Sequence, residues 1–486
     1  MATVLLVEDD PDQLELRQQI LEMAGHEVLP ARTADEALGH RRAAAVAVLD
    51  LRIPTLAEGL RLITELQAAA PAMKLIVLSG WTRELTVKVD QILEKPVKTR
   101  NLLQHIARLA VMLAFCVNAA ETVAHMELSA PGMDWESKGR EAVLADVAID
   151  GKVQQQVMLY AGARRHRYSV FLGDLAPGNH KVTVQGKGVV EHGITLEAAR
   201  PWAAYAPVLF ERKNAIGRFT DIPLLTYVEA LNENGQKILQ YTVIFSNEDG
   251  GTSTRSLMAR WGRTTDIEYV FRAYLKADGT LDKAIIQSRG HKDIEFTGPF
   301  FGTHPMLMPV TDNNMVAGEG PSAVRYQPAA VLADLSKASR EAVMDANPIT
   351  WLVMTSELVR ENKLRAYGEE RGESISDPRN YLYIEANVNP GKAAIAFVVL
   401  HKNGQYYFSH KGRTKDAIER AGWVRSTIEL PPGTEAKDLR SINPLCVYLP
   451  KSPSDVSCGA TQIKSLFFLT KEKLPGPAFQ LPMGNN

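Results

Sequence analysis

The chain has 486 residues, 45% of them hydrophobic, with 55 Lys and Arg against 56 Asp and Glu. That length suggests about three domains, with enough apolar side chains for real cores. The formal net charge of -1 provides neither a basic field for nucleic acid nor the acidic excess of a disordered chain.

Residues Met1-Ala2-Thr3-Val4 run straight into a strand, with no basic leader. Strand and helix patterns then alternate. Strands are predicted at 3–8, 27–30, 44–49, 74–78 and 91–94, and helices at 12–24, 34–42, 58–70 and 99–113. In the first helix, Leu16, Ile20 and Met23 form one apolar stripe and Leu14 and Leu21 a second. Gly25 stops that helix, and Thr33 is suited to cap the next. Such alternation implies a doubly wound parallel α/β sheet with right-handed crossovers.

Ligands of such sheets sit at the carboxyl ends of the strands. Asp9-Asp10 follow Val4-Leu5-Leu6-Val7, Asp50 ends Val46-Ala47-Val48-Leu49, Ser79 follows Leu75-Ile76-Val77-Leu78, and Lys95-Pro96 follow Gln91-Ile92-Leu93-Glu94. Three carboxylates, a hydroxyl and an ammonium on one edge suit a hard cation and a phosphoryl group. An exposed carboxylate at a strand end can accept phosphate, and Asp50 fits. Asp9, Asp10 and Asp50 can hold Mg2+, while Lys95 and Ser79 can contact the phosphoryl oxygens.

These stretches resemble the response-regulator receivers of two-component systems over residues 3–110, on Val7-Glu8-Asp9-Asp10, Leu49-Asp50-Leu51-Arg52-Ile53-Pro54, Leu78-Ser79-Gly80 and Glu94-Lys95-Pro96. The resemblance implies a five-stranded, flavodoxin-like fold. It implies phosphoryl transfer to Asp50 from a sensor histidine kinase or phosphotransfer protein. It also implies Mg2+ held by Asp9, Asp10, Asp50 and the Arg52 carbonyl, with Ser79 and Lys95 on the phosphoryl group. Two departures stand out. The stretch from Ser79 to Lys95 is short, which leaves a fourth helix of one turn or none. Ile92 occupies the place where many members carry a switch aromatic. A receiver of this kind works in the cytoplasm.

The segment Leu109-Ala110-Val111-Met112-Leu113-Ala114-Phe115-Cys116-Val117 has a basic flank at Arg108 and small residues after it. It reads either as the end of a receiver helix running into a linker (111–127) or as a signal-peptide relic. It is too short to span a bilayer. Later segments alternate apolar and polar between turns, which predicts a β-sandwich over 128–200 and a β-rich α+β domain over 201–475, with a helical insert at 329–345. This half has the texture of an exported protein. No helix-turn-helix, Walker loop, GxSxG or HExxH is present, so DNA binding is not expected.

Polar signals are densest between 204 and 320. Asp266 and Glu268 share one face of a strand, with His291, His304 and Asp312-Asn313-Asn314 further on. Asp266, Glu268, His291 and His304 form a candidate second metal site of a hydrolase or lyase, weighed against ordinary hairpin turns. A third possibility is a glycan or envelope-binding module, with Trp202, Tyr205, Trp261, Tyr269, Phe300 and Phe301 as a platform or as plain core. No CxxC or zinc spacing is present among the three cysteines; Cys446 and Cys458 are either a pair or two separate buried thiols.

Overall fold

A computed structural model describes residues 3–40, 44, 46–70, 73–80, 87, 89–99, 101–103, 105–106, 121–175, 179–212, 215–219, 221–248, 252–318, 324–450, 452 and 457–484. The chain forms two compact units, Met1–Ala119 and Ala120–Asn486.

In the first unit β1 (Thr3–Val7), α1 (Pro11–Met23), β2 (Glu27–Ala31), α2 (Ala34–Gly39), β3 (Val46–Asp50), α3 (Leu56–Ala69), β4 (Lys74–Ser79) and β5 (Gln91–Glu94) follow in order. The sheet order is β2-β1-β3-β4-β5, all parallel. The strand order reverses direction between β1 and β3, where a doubly wound sheet opens its binding crevice. Alternation sorts the strand side chains. Val4, Leu6, Val48, Ile76 and Leu78 pack with Leu14 and Leu21 of α1, while Leu5, Val7, Leu49 and Val77 pack with Leu62, Ile63 and Leu66 of α3. The stripe Leu16–Ile20–Met23 is not the inward one. Leu16 and Met23 are exposed, and Leu14 and Leu21 carry the packing. Thr33 caps α2 as its sequence predicts, through Glu36 N. Residues 99, 101–103 and 105–106 are helical. The rest of the predicted last helix, residues 81–86 and 88 between Ser79 and Lys95, and the apolar segment 109–120 lie outside the described residues.

The second unit is β-rich. Strand Glu121–Ser129 already begins inside the stretch read as a linker. Two three-stranded sheets follow. One orders Val190–Ala198, Glu121–Ser129 and His166–Asp174, the other Val182–Gln185, Val143–Ile149 and Lys152–Leu159. Their inner faces meet through Met126, Leu128, Val147 and Leu159. The same core takes in Tyr227, Ile267, Trp351 and Tyr383, so no break in packing occurs at residue 200. A six-stranded sheet spans 223–295 and ends on Val331–Leu332. Two more three-stranded sheets from 381 onward close on Leu382, Ile384, Phe397, Val399 and Ile442. The predicted helical insert at 329–345 is displaced. Val331–Leu332 pairs with Tyr227–Val228, and the helices are Ala342–Ala346 and Ile349–Arg360. Pairing with the sheet overrides local propensity there. Cys446 and Cys458 form a disulfide with Cα atoms 5.7 Å apart.

Candidate functional site

Strand register assembles the first site. Val7 lies opposite Leu49, Asp50 opposite Leu78 and Ser79 opposite Glu94, so the residues that end these strands reach one level. Asp50 is held from two sides. The Arg52 amide donates to its Oδ1 at 3.3 Å, and Lys95 Nζ forms an ion pair with its Oδ2. The Lys95 amide in turn donates to the Ser79 carbonyl at 2.9 Å, fixing the turn after β5. Ser79 is buried. Gly59 lets α3 lie against the segment that follows Asp50, because a Cβ there would sit 1.9 Å from the Leu51 carbonyl oxygen.

Ligand atoms of Glu8, Asp9 and Asp50 all lie within 4.8 Å of one another. This hard-oxygen set fits Mg2+, which takes one or two carboxylates plus water. Asp10 stands apart from it. Its Oδ1 accepts from the amides of Asp12 and Gln13, at 3.0 and 3.1 Å, as the N-cap of α1. Glu8 therefore takes the place expected for Asp10. The sequence holds the signal for this, since an Asp before Pro11 at a helix start is a capping pattern. Sequence reasoning also passed over Arg17, whose guanidinium is ion-paired with Glu8.

Of the four residues proposed as a second site, three come together. Asp266 is buried and accepts from Asn314 Nδ2 at 2.9 Å. Glu268 accepts at 2.9 Å from the Gln287 amide, which in turn accepts from His291 Nδ1 at 3.0 Å. Asn313 Nδ2 reaches His291 Nε2 at 3.2 Å. Glu248, outside the four proposed residues, joins them. Burial and the neighbouring charge of Asp266 push Glu268 up to about 8 and Glu248 up to about 7, and burial pushes Asp266 up as well. His304 is elsewhere. Its imidazole lies 2.8 Å from the Ala206 carbonyl and 3.0 Å from Glu121 Oε1, and packs on Phe171. It begins strand His304–Pro309, and its ring nitrogens are taken up by Ala206 and Glu121. Of the six aromatic residues, Tyr205 is buried, Phe300 packs edge-on to Phe296, and Phe301 lies exposed under Arg325.

The profile of the response regulator receiver domain matches residues 4–107. Similar solved structures include a CheY-like receiver from Methanospirillum hungatei JF-1, 32% identical over 22% of this chain and 92% of that one, with a TM-score of 0.21. Another, from Methylobacillus flagellatus, is 26% identical over 22% of this chain and 98% of that one, with a TM-score of 0.21. A Thermotoga maritima response regulator in complex with Mg2+-BeF is 23% identical over 22% and 99%, also with a TM-score of 0.21. No curated protein matches the chain. With the five-stranded parallel sheet and the acid-lined edge already described, the profile match gives the conclusion: residues 4–107 are a response regulator receiver domain.

Proposed function

We propose that Asp50 is the phosphoacceptor of a phosphorelay, charged by a sensor histidine kinase or phosphotransfer protein in the cytoplasm. The observation that carries this is the Asp50–Lys95 ion pair beside two further carboxylates on the open sheet edge. In the transfer, a carboxylate oxygen of Asp50 bonds to phosphorus as the P–N bond to the donor imidazole breaks, and the imidazole takes up a proton. Glu8, Asp9, Asp50 and the Arg52 carbonyl would hold Mg2+, which neutralises phosphoryl oxygens when bound. Lys95 turns from Asp50 to a phosphoryl oxygen, and the Ser79 hydroxyl donates to another. The test is intact mass after incubation with acetyl phosphate and Mg2+, on wild type and Asp50→Asn. A gain of one phosphate in wild type, lost in the variant, is the expected result; undiminished labelling of the variant sinks the assignment.

A second reading concerns the unit Ala120–Asn486. Asn314 Oδ1 is buried without a hydrogen-bond donor among the described residues, on the amide that touches Asp266. Asp266 accepts from the same amide and lies among the charges of Glu268 and Glu248, which supports a ligand site whose occupant brings positive charge or hydrogen-bond donors. Titrating Ca2+, Mn2+ and Mg2+ against the melting of this unit, in wild type and Asp266→Asn, tests the cationic form of this reading. Equal responses in both proteins would remove it.

A further inference from the structure

The receiver pocket contains a cation that its motifs do not announce. The inward stripe of α1 runs Leu14, Arg17, Leu21, with both leucines buried and the Arg17 side chain only 14% exposed. Positions three and four apart share one helix face, so the Arg17 stem leaves α1 on the face that these two leucines bury. Burying it there is unfavourable unless a carboxylate answers it. Glu8, itself almost fully buried, does so. Burial pulls Arg17 down from the usual arginine range, while the charge of Asp50 opposes that. Glu8 belongs at once to this ion pair and to the trio of oxygen donors around Asp50. Arg17 and Lys95 thus bring two positive charges to a pocket with three carboxylates.

We propose that Arg17 is a resident counter-cation that competes with Mg2+ for Glu8 and thereby sets the Mg2+ concentration at which Asp50 becomes phosphorylatable. This rests on the receiver reading of Asp50. The physical ground is simple. A divalent ion entering among Glu8, Asp9 and Asp50 must share a carboxylate already neutralised by Arg17, and a positive charge at close range repels it. The leucines on either side hold the guanidinium stem in place, so Arg17 does not simply withdraw. Arg17 is a positioning and affinity-setting residue here; it donates nothing to the phosphoryl group.

The test is Mg2+ binding by the full chain, followed by isothermal titration calorimetry. The signal of this site is the part abolished by Asp50→Asn. Arg17→Met keeps an apolar stem between Leu14 and Leu21 and removes the charge. Arg17→Gln keeps a hydrogen-bond donor for Glu8. Both are expected to tighten Mg2+ binding about three- to tenfold, from the loss of one nearby charge. The Mg2+ concentration that half-saturates labelling by acetyl phosphate should fall in step. Arg17→Lys, which retains the charge, stays near wild type. Unchanged or weaker Mg2+ binding in a folded Arg17→Gln protein overturns the proposal, as does tightening of equal size in Arg17→Lys. Failure of the underlying reading shows itself differently: wild type would take no phosphate on Asp50 at any Mg2+ concentration.

Discussion

Replacing Gly59 by alanine probes the close approach that places the phosphoacceptor. A Cβ at Gly59 would stand 1.9 Å from the carbonyl oxygen of Leu51 and 2.8 Å from its carbon. Even a tight carbon–oxygen contact is about 3.3 Å, so α3 or the segment after Asp50 must retreat by more than about 1 Å. The obstacle is backbone and has no rotamer to turn aside. Overpacking of this sort costs about 1–3 kcal/mol, against which alanine recovers about 1 kcal/mol of helix propensity. The difference, a net loss of up to about 2 kcal/mol, lowers the melting temperature of a domain this size by up to roughly 15 °C. Calorimetry on the full chain, following the receiver transition, measures it. Gly39 in α2 is the control, since a Cβ there meets nothing within 4 Å, and Gly39→Ala is expected to leave the transition in place or raise it. The shift also reaches the site, because the Arg52 amide that donates to Asp50 lies one residue beyond Leu51. Labelling of folded Gly59→Ala by acetyl phosphate is therefore slower. A variant that melts at or above the wild-type temperature refutes the steric argument.

The unit Ala120–Asn486 should lose stability as pH rises from about 5 to 8. Folded Glu268 and Glu248 hold protons up to about 8 and 7, whereas an unfolded glutamate releases its proton near about 4.3. The folded state binds more protons in that window, so the unfolding free energy falls with pH. Glu268→Gln flattens the slope, and a melting temperature constant or rising across this range in wild type contradicts the burial of these acids. Reducing the disulfide Cys446–Cys458, whose cysteines are 12 residues apart, should cost about 3 kcal/mol from the freed loop. Dithiothreitol, or Cys446→Ser with Cys458→Ser, then lowers the melting of this unit and leaves the receiver transition unmoved. Identical melting with and without reductant argues against the bond.

The receiver was legible before folding because its signals are local and periodic. Apolar runs with charged or hydroxyl residues at their ends define parallel strands, and a parallel sheet places all those ends on one edge. Asp50, Ser79 and Lys95 follow from that alone. The sequence could not by itself rank Leu16–Ile20–Met23 against Leu14–Leu21, since both have helical spacing; the choice came when the buried face of α1 met Val4, Leu6 and Val48. Among the consecutive acids Glu8, Asp9 and Asp10, Pro11 marks Asp10 as a cap, and the turn from β1 into α1 then sends Glu8 to the cluster. In the second unit, same-face alternation joined Asp266 to Glu268. The arrival of Glu248, His291 and Asn314 and the departure of His304 depended on strand pairings between residues far apart in the chain. Local periodicity determines which elements form and which side of each is apolar. Which charged group meets which is decided by register and packing, where a displacement of one residue turns every side chain to the other face.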